Sequence, residues 1–158
     1  MTTSRSSNSG RYEERWDIYT KDSRKLRIGL RDHQNVIFID LTIFKSDDNK
    51  ELIPLTFSEF LLIPKEEVLK KLSSSEAQVR DILNGKRKIS IRYSKVTNGE
   101  ESSLLLNLLK FSGDSNEWKV QHHIKITMQE FQLFSACIPE IIEEVGKKMF
   151  NNIELSIN

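Results

Sequence analysis

Basic and aromatic side chains alternate with apolar ones in several segments of this chain, a combination that can bind a polyanion. Alternate residues of a strand share one face, so the cations of such segments gather on one side of a sheet. There they can contact phosphates, while neighbouring rings offer flat surfaces on which bases stack. The candidate residues for such a surface are Lys25, Arg27, Arg31, Phe38, Phe44, Lys88, Arg92 and Lys95.

The aromatic candidates lie on the predicted non-core side of their strand. Phe38 and Phe44 have the parity opposite to the apolar residues of that strand, and Tyr19 is the matching candidate on the first strand. A base stacked on a protein ring contributes about 1–3 kcal/mol, so two or three rings can compensate for modest charge. The alternative is an ordinary solvated sheet face, with both phenylalanines packed under a partner or a terminal segment.

The charge of the chain is unevenly distributed although its total is small. The net charge is +1, which weakens the case for extensive phosphate neutralisation. However, residues 85–95 contain five positive residues and no acid, and residues 24–31 contain four positive residues and no acid. The distribution therefore favours two cationic strands over a uniformly basic protein.

No set of residues supports catalysis or metal binding. His122 and His123 are adjacent on a predicted strand and point to opposite faces, so they cannot easily share one metal ion. Cys137 lies in an apolar helical stretch, where a buried inert thiol is expected. No nucleophile has an activating partner and no phosphate-binding glycine loop is present. The sequence predicts a protein that is not an enzyme and that has no catalytic residues, no metal and no cofactor.

Length and composition indicate one intracellular domain. The 158 residues can bury one core, and no apolar run approaches the roughly 20 residues of a membrane span. A single cysteine fits a reducing compartment, nuclear or cytoplasmic, with an organelle as the alternative. Residues 1–11 are polar and of low complexity, and we expect them to be a disordered tail.

Alternation and turn residues predict seven strands. Seven segments have the branched, alternating composition of strands, and residues 153–157 give a weaker signal for a short strand. The seven are 12–20, 24–31, 36–45, 51–55, 88–96, 102–111 and 117–126. Asn98-Gly99 is expected in a hairpin loop.

Two capping boxes mark helices at equivalent places in a near-repeat. Residues 53–63 align without gaps on residues 124–134, and five of the eleven positions are identical. Thr56 with Glu59 and Thr127 with Glu130 have the spacing of a capping box, so each stretch reads as a strand that enters a helix. The first helix is interrupted at Pro64 and continues through 65–72, a second short helix is expected at 75–83, and the last runs from 127 to about 148 with a bend at Pro139.

The fold class is therefore α+β, with antiparallel strands and helices packed on one sheet face. We expect a single domain, residues 12–158, built from two related strand-meander-plus-helix repeats at about 12–83 and 86–150. The basic strand comes early in both repeats. The apolar side of the last helix is broad, so it either completes the core or contacts a second subunit.

This pattern resembles the PUR-alpha, Whirly and PC4-like superfamily of single-stranded nucleic-acid-binding proteins. Residues 86–93 followed by Asn98-Gly99 look like the basic strand and hairpin of a PUR repeat, and residues 124–127 leading into 131–145 look like its last strand and helix. Residues 27–29, 36–41 and 55–56 are similar to a PC4 repeat. The resemblance implies helices on one sheet face and nucleic acid on the other. It covers roughly residues 12–150, and the chain is less basic than PUR and PC4 repeats.

The resulting expectation is a protein that binds single-stranded DNA or RNA with low sequence specificity. Its role would lie in transcription, RNA processing or genome maintenance, and its assembly would be a homo-oligomer, a dimer, with no membrane association. The alternative is a protein-interaction or scaffold module that oligomerises through the same fold.

Overall fold

The structure is a computed structural model that describes residues 2–20, 24–46, 48–72, 79–94 and 101–157. It has the predicted α+β character, with antiparallel strands in two sheets and helices packed against them. The first sheet contains five strands in chain order: β1 (Thr2–Ser9), β2 (Tyr12–Tyr19), β3 (Lys25–His33), β4 (Val36–Phe44) and β5 (Lys50–Thr56). The helices α1 (Phe57–Leu62) and α2 (Lys65–Leu72) follow.

The second sheet contains four strands and is followed by the longest helix. Its strands, again in chain order, are β6 (Val79–Asn84), β7 (Arg87–Tyr93), β8 (Ser103–Ser112) and β9 (Glu117–Thr127). The helix α3 (Met128–Ile157) contains Pro139 in its interior. The predicted hairpin loop at Asn98-Gly99 lies outside the described residues.

Alternation along the strands places the core as the sequence predicts. On β3, Leu26, Ile28 and Leu30 are almost fully buried, as are Ile39, Leu41 and Ile43 of β4 and Ile124 and Ile126 of β9. The opposite side of β3 carries Lys25, Arg27 and Arg31. One continuous cluster of buried side chains includes residues of both sheets and of all three helices, so the chain has a single core.

Each capping box forms as predicted. The amide of Glu59 donates to the hydroxyl of Thr56 at 3.2 Å, and the Thr56 amide donates back to the Glu59 carboxylate at 2.9 Å. The same two bonds, at 3.2 and 2.9 Å, join Thr127 and Glu130 at the start of α3. Both satisfy amides that have no partner within the helix.

The helices α2 and α3 each contact the sheet that they do not follow in the chain. The helix α3 leaves the second sheet and crosses the first, where Trp16 donates to Glu140 at 2.8 Å and Lys148 pairs with Glu13 at 2.5 Å. The helix α2 follows the first sheet and reaches the second, where Glu67 pairs with Arg80 of β6. The two halves of the chain therefore enclose the core together.

The predicted disordered tail at 1–11 is wrong for Thr2–Ser9, which forms the edge strand β1. This segment buries little of its own surface and is held by its neighbours instead. Arg5 pairs with Glu14 at 3.0 Å and with Glu144 of α3 at 2.7 Å, and its guanidinium lies 5.0 Å from the centre of the Trp16 ring. Composition predicts disorder here because these partners are distant in sequence.

The predicted helix at 75–83 is wrong for residues 79–83, which belong to strand β6, and its first part at 75–78 lies outside the described residues. The turn between β6 and β7 is formed by Gly85 and Lys86, and Gly85 has a φ of +62°. Ile82 pairs with Ile89 across this hairpin and completes the apolar row of the second sheet. The period of so short a segment does not separate helix from strand.

The weak strand at 153–157 is wrong as well, since α3 remains helical to Ile157. The apolar side of this helix lies mostly in the core. Phe131, Phe134, Ile141 and Val145 are buried, whereas Ile142 is 43% exposed.

Candidate functional site

The outer face of the first sheet carries a row of alternating cations and rings. Cross-strand pairing places Tyr19 opposite Lys25, Lys25 opposite Phe44, and Phe44 opposite Lys50. Directly opposed residues of an antiparallel pair share a face, so all four side chains lie on one side. This side is opposite to the buried row of β3.

The cations of this face lie against the aromatic rings. Lys25 Nζ is 4.6 Å from the centre of the Phe44 ring, and the Arg27 guanidinium is 4.8 Å from the same ring. The Arg31 guanidinium is 4.4 Å from the centre of Phe38. Such contacts orient long side chains that would otherwise be mobile. Guanidinium planes and rings are both surfaces on which bases stack.

Two buried aspartates beneath this layer fix the arginines. Asp17 accepts from Arg27 Nε at 2.8 Å, and Asp40 accepts from Arg31 at 2.7 and 3.1 Å. The two carboxylates are only 3% and 0% exposed. Buried carboxylates require such partners, so these arginines are part of the fold as well as of the surface.

Tyr12 adds a further fixed ring. Its side chain lies over Gly29, where a Cβ atom would be 2.4 Å from the ring, and its hydroxyl donates to Asp40 at 3.2 Å. Glycine at position 29 is therefore required by the close approach of the ring. Arg11, at the start of this strand, lies 3.6 Å from the same Asp40 carboxylate.

Positive charge exceeds negative charge on this surface. We name it the basic face and define it by six cations and two carboxylates, together with the rings of Tyr12, Tyr19, Phe38 and Phe44. The cations are Arg11, Arg15, Lys25, Arg27, Arg31 and Lys50, and the carboxylates are Asp17 and Asp40. The surplus is four positive charges. Burial, followed by the neighbouring Arg27, lowers the pKa of Lys25, as expected where cations are crowded.

The second sheet presents a different outer face. Lys88 Nζ lies 4.8 Å from the centre of the Trp118 ring, which meets Phe111 edge to face at 5.3 Å. Arg92 is exposed on the same side. Leu83 and Val120 also lie on this face and are 66% and 56% exposed.

The predicted site residues are thus divided between two faces. Five of them lie together on the basic face, whereas Lys88 and Arg92 lie on the outer face of the second sheet; Lys95 is outside the described residues. The five on the basic face are Lys25, Arg27, Arg31, Phe38 and Phe44.

Sequence reasoning missed several residues of these faces. Arg15 belongs to the first predicted strand, Arg11 to the segment expected to be disordered, and Lys50 precedes a short strand, so none stood in a basic run. Asp40 gave a signal, because a carboxylate within the apolar strand at 36–44 needs a buried partner. Trp118 lies on the outer side of β9 because the register between β8 and β9 shifts near Leu108 and places Trp118 opposite Phe111. Alternation along the sequence does not predict this shift.

Two glutamates at the helix starts join the halves of the chain. Glu59 accepts from Arg87 of β7 at 2.7 and 2.9 Å, and Arg87 also donates to the carbonyl of Pro54 at 3.0 Å. Burial alone would raise the pKa of Glu59, but the bonds from Arg87, the Thr56 amide and Asn84 outweigh it, so this pKa is lowered. The carboxylate is therefore charged in the core of the protein at neutral pH.

The same arrangement is found at the second capping box. Glu130 accepts from Arg24 at 3.1 and 3.2 Å, and Arg24 also donates to the carbonyl of Lys125 at 3.1 Å. Glu59 and Glu130 are both fully buried. Each is the third residue of its helix and binds an arginine at the beginning of a strand of the other sheet.

Lys65, on the helix side, is a half-buried cation that has no acidic partner among the described residues. Its Nζ donates to the carbonyl of Phe60 at 2.6 Å, and burial lowers its pKa to about 8 from an ordinary 10.5. Folding therefore disfavours the charged amine. The free-energy cost of burying the charged amine is present in full below the pKa of Lys65 in the folded protein. It decreases as the pH rises towards the pKa of lysine in the unfolded chain.

A Lys65→Met variant should therefore differ from the wild type in a pH-dependent way. As pH rises from about 8 to about 10, the wild type should gain stability relative to the variant, because only it carries the perturbed amine. Urea unfolding at several pH values measures this difference. The exposed Lys70 on the same helix provides the control Lys70→Met, for which we expect no such trend. A constant difference for Lys65→Met across the range would contradict the pKa shift.

Metal and membrane sites are not indicated by the described part of the chain. Among residues 2–20, 24–46, 48–72, 79–94 and 101–157, no group of three or more histidine, cysteine or acidic residues could hold a metal ion. In the same ranges, no helix combines the length and hydrophobicity of a membrane span. Cys137 is buried, and burial followed by Glu140 raises the pKa of its thiol.

A functional assignment for this protein rests on the geometry of the molecule. No protein-family model matches the chain, and no curated protein matches its sequence.

Proposed function

We propose that this protein binds single-stranded DNA or RNA, with little sequence preference, on the basic face of the first sheet. The observation that carries the proposal is the fixed layer of cations and rings: Lys25 and Arg27 against Phe44, and Arg31 against Phe38. Phosphates would contact the surplus cations while bases stack on the rings and guanidinium planes. Such a protein would act in transcription, RNA processing or genome maintenance.

The arginine–glutamate contacts support the further proposal that the chain consists of two related repeats. The alignment of residues 53–63 with 124–134 pairs Pro54 with Lys125 and Glu59 with Glu130. Arg87 binds the first member of each pair, and Arg24 binds the second. Two unrelated halves have no reason to share this set of contacts.

Binding should be sensitive to salt but less so than for a strongly basic protein. Neutralising about four phosphates of a single strand gives a slope of log affinity against log salt of about −3, so affinity should fall about 50-fold between 50 and 200 mM salt. Fluorescence anisotropy with labelled single-stranded and duplex oligonucleotides at rising salt measures this. Single strands should bind more tightly than duplexes, because only their bases are free to stack.

Two results would overturn the proposal. One is the absence of any anisotropy change with DNA and RNA single strands at micromolar protein and about 50 mM salt. The other is an affinity that does not change with salt concentration, because phosphate contacts release counterions.

The second candidate function is a protein-interaction module that oligomerises, and the outer face of the second sheet favours it. Leu83 and Val120 are exposed there beside Trp118, on the side opposite to the core. Apolar residues grouped on a sheet surface commonly mark a contact with another chain. Light scattering separates the two functions: a dimer that dissociates in a Leu83→Glu, Val120→Glu variant without loss of oligonucleotide binding assigns assembly to this face and binding to the other.

A further inference from the structure

The basic face contains a pocket of about 290 Å³ beside the turn between β1 and β2. The turn itself, Ser9–Arg11, forms one wall, and the sheet surface around Thr42 and Phe44 forms the floor. The turn is tight, because Asn8 and Gly10 both have positive φ, at 50° and 62°. The β1–β2 turn thus encloses one end of an otherwise open sheet surface.

Four cations line this pocket and no acidic side chain does. They are Arg11, Arg15, Arg27 and Lys50. Arg15 Nε lies 3.3 Å from Asp17 but, among the described residues, this buried atom has no hydrogen-bond partner. Lys50 is exposed and forms no ion pair with any described residue. Donor groups in this pocket therefore exceed the carboxylates that hold them.

The ring of Phe44 gives the pocket an apolar side. It is the ring that Lys25 and Arg27 flank, and Leu52 continues the apolar surface into the pocket. A ligand that suits these walls has an aromatic ring for Phe44 and an anion for the four cations. A nucleotide combines the two.

The charge and size of the pocket select the end of a strand rather than its middle. A phosphate monoester carries a charge of about −1.5 to −2, compared with −1 for an internal diester, and so makes better use of four cations. Ligand pockets usually span about 300–1,000 Å³, so this one is at the lower limit and takes one nucleotide.

We infer that this pocket binds a terminal nucleotide through its phosphate monoester, with the base on Phe44 and the phosphate among Arg11, Arg15, Arg27 and Lys50. The inference rests on the proposed function, since the remainder of the strand would lie along the basic face. The class of ligand is a single strand that carries a terminal phosphate monoester.

The test compares oligonucleotides that differ only at their ends. A single-stranded 12-mer, labelled internally, is prepared with a 5′-phosphate, with a 3′-phosphate and with hydroxyls at both ends, and its affinity for the full chain is measured by anisotropy. We expect a terminal phosphate, at one of the two ends, to increase affinity about tenfold over the hydroxyl form. Lys50→Ala should reduce that ratio towards one, whereas Lys70→Ala, on the helix side, should leave it unchanged.

The outcomes separate this inference from the function on which it rests. Equal affinity for all three oligonucleotides overturns the terminal pocket and leaves single-strand binding intact. Preference for one of the two phosphorylated forms supports the terminal pocket and shows which end of the strand it binds. If no oligonucleotide binds, both proposals fail. If nucleoside 5′-monophosphate binds although the oligonucleotides do not, single-strand binding is wrong and the pocket is a site for free nucleotides.

Discussion

Replacing Arg87 with alanine is expected to lower the free energy of unfolding by about 3 kcal/mol, a typical cost of leaving a buried carboxylate without its partner. Glu59 is fully buried and receives two of its bonds from Arg87. The estimate is at the lower end because the Arg87 side chain is 34% exposed, so water partly replaces it. Urea unfolding followed by tryptophan fluorescence measures the loss.

The matched control is Arg92→Ala on the same strand. Arg92 is exposed and has no ion pair with any described residue, so its removal should change stability by less than about 0.5 kcal/mol. Combining Arg87→Ala with Glu59→Gln should recover part of the loss, because the stranded charge is then absent. Equal losses for Arg87→Ala and Arg92→Ala would show that the buried pair contributes nothing specific.

The effect should also depend on pH. In the wild type the bonds from Arg87 help to lower the pKa of Glu59, so their contribution is present above the unfolded carboxyl value and is lost as pH falls. In Arg87→Ala, burial raises the pKa of this carboxyl, and protonation then removes the stranded charge. The gap in stability between the two proteins should therefore narrow in acid.

The elements of the fold were largely predictable because their signals are local. Alternation along β3 and β4 identifies the buried side from a few neighbouring residues, and the capping boxes identify two helix starts. The errors occurred where local signals compete with distant contacts. Strand β1 pairs with β2 and is also held by the ion pair of Arg5 with α3, more than a hundred residues away, whereas the composition of the segment itself is that of a disordered tail.

The site was predictable as a face but not as a set of contacts. Alternation along the strands placed Lys25, Arg27 and Phe44 on one side of the sheet. In the structure the charged groups of Lys25 and Arg27 both lie within 5 Å of the centre of the Phe44 ring. Which cations are free and which hold buried carboxylates depends on cross-strand register. The pairing of Arg27 with Asp17 requires that β2 and β3 align at that position, and sequence spacing alone does not fix the register.

This distinction determines which variants can test binding. Arg27→Glu would place a second carboxylate against the buried Asp17 and damage the fold, so a loss of binding would not identify a contact. Lys50 and Lys25 form no ion pair with a carboxylate of the described residues, and Phe38 and Phe44 contact the arginines on the outer face of the sheet. The rings therefore give the more specific test.

The double variant Phe38→Ala, Phe44→Ala is expected to weaken binding of a single strand at least about 30-fold, because each stacked base is worth about 1–3 kcal/mol. The net charge is unchanged, so the slope of affinity against salt should stay near that of the wild type while its level falls. Anisotropy titrations at several salt concentrations separate these two quantities. Thermal unfolding checks that the variant remains folded.

Phe150→Ala is the matched control, since Phe150 is 60% exposed on α3 and lies away from the basic face. It should leave affinity unchanged. If the double variant binds as tightly as the wild type, the rings serve only to hold Arg27 and Arg31 in place, and stacking plays no part. If affinity falls and the slope of log affinity against log salt also becomes shallower, the rings act by positioning cations. Phosphate contact rather than base contact then dominates the interaction.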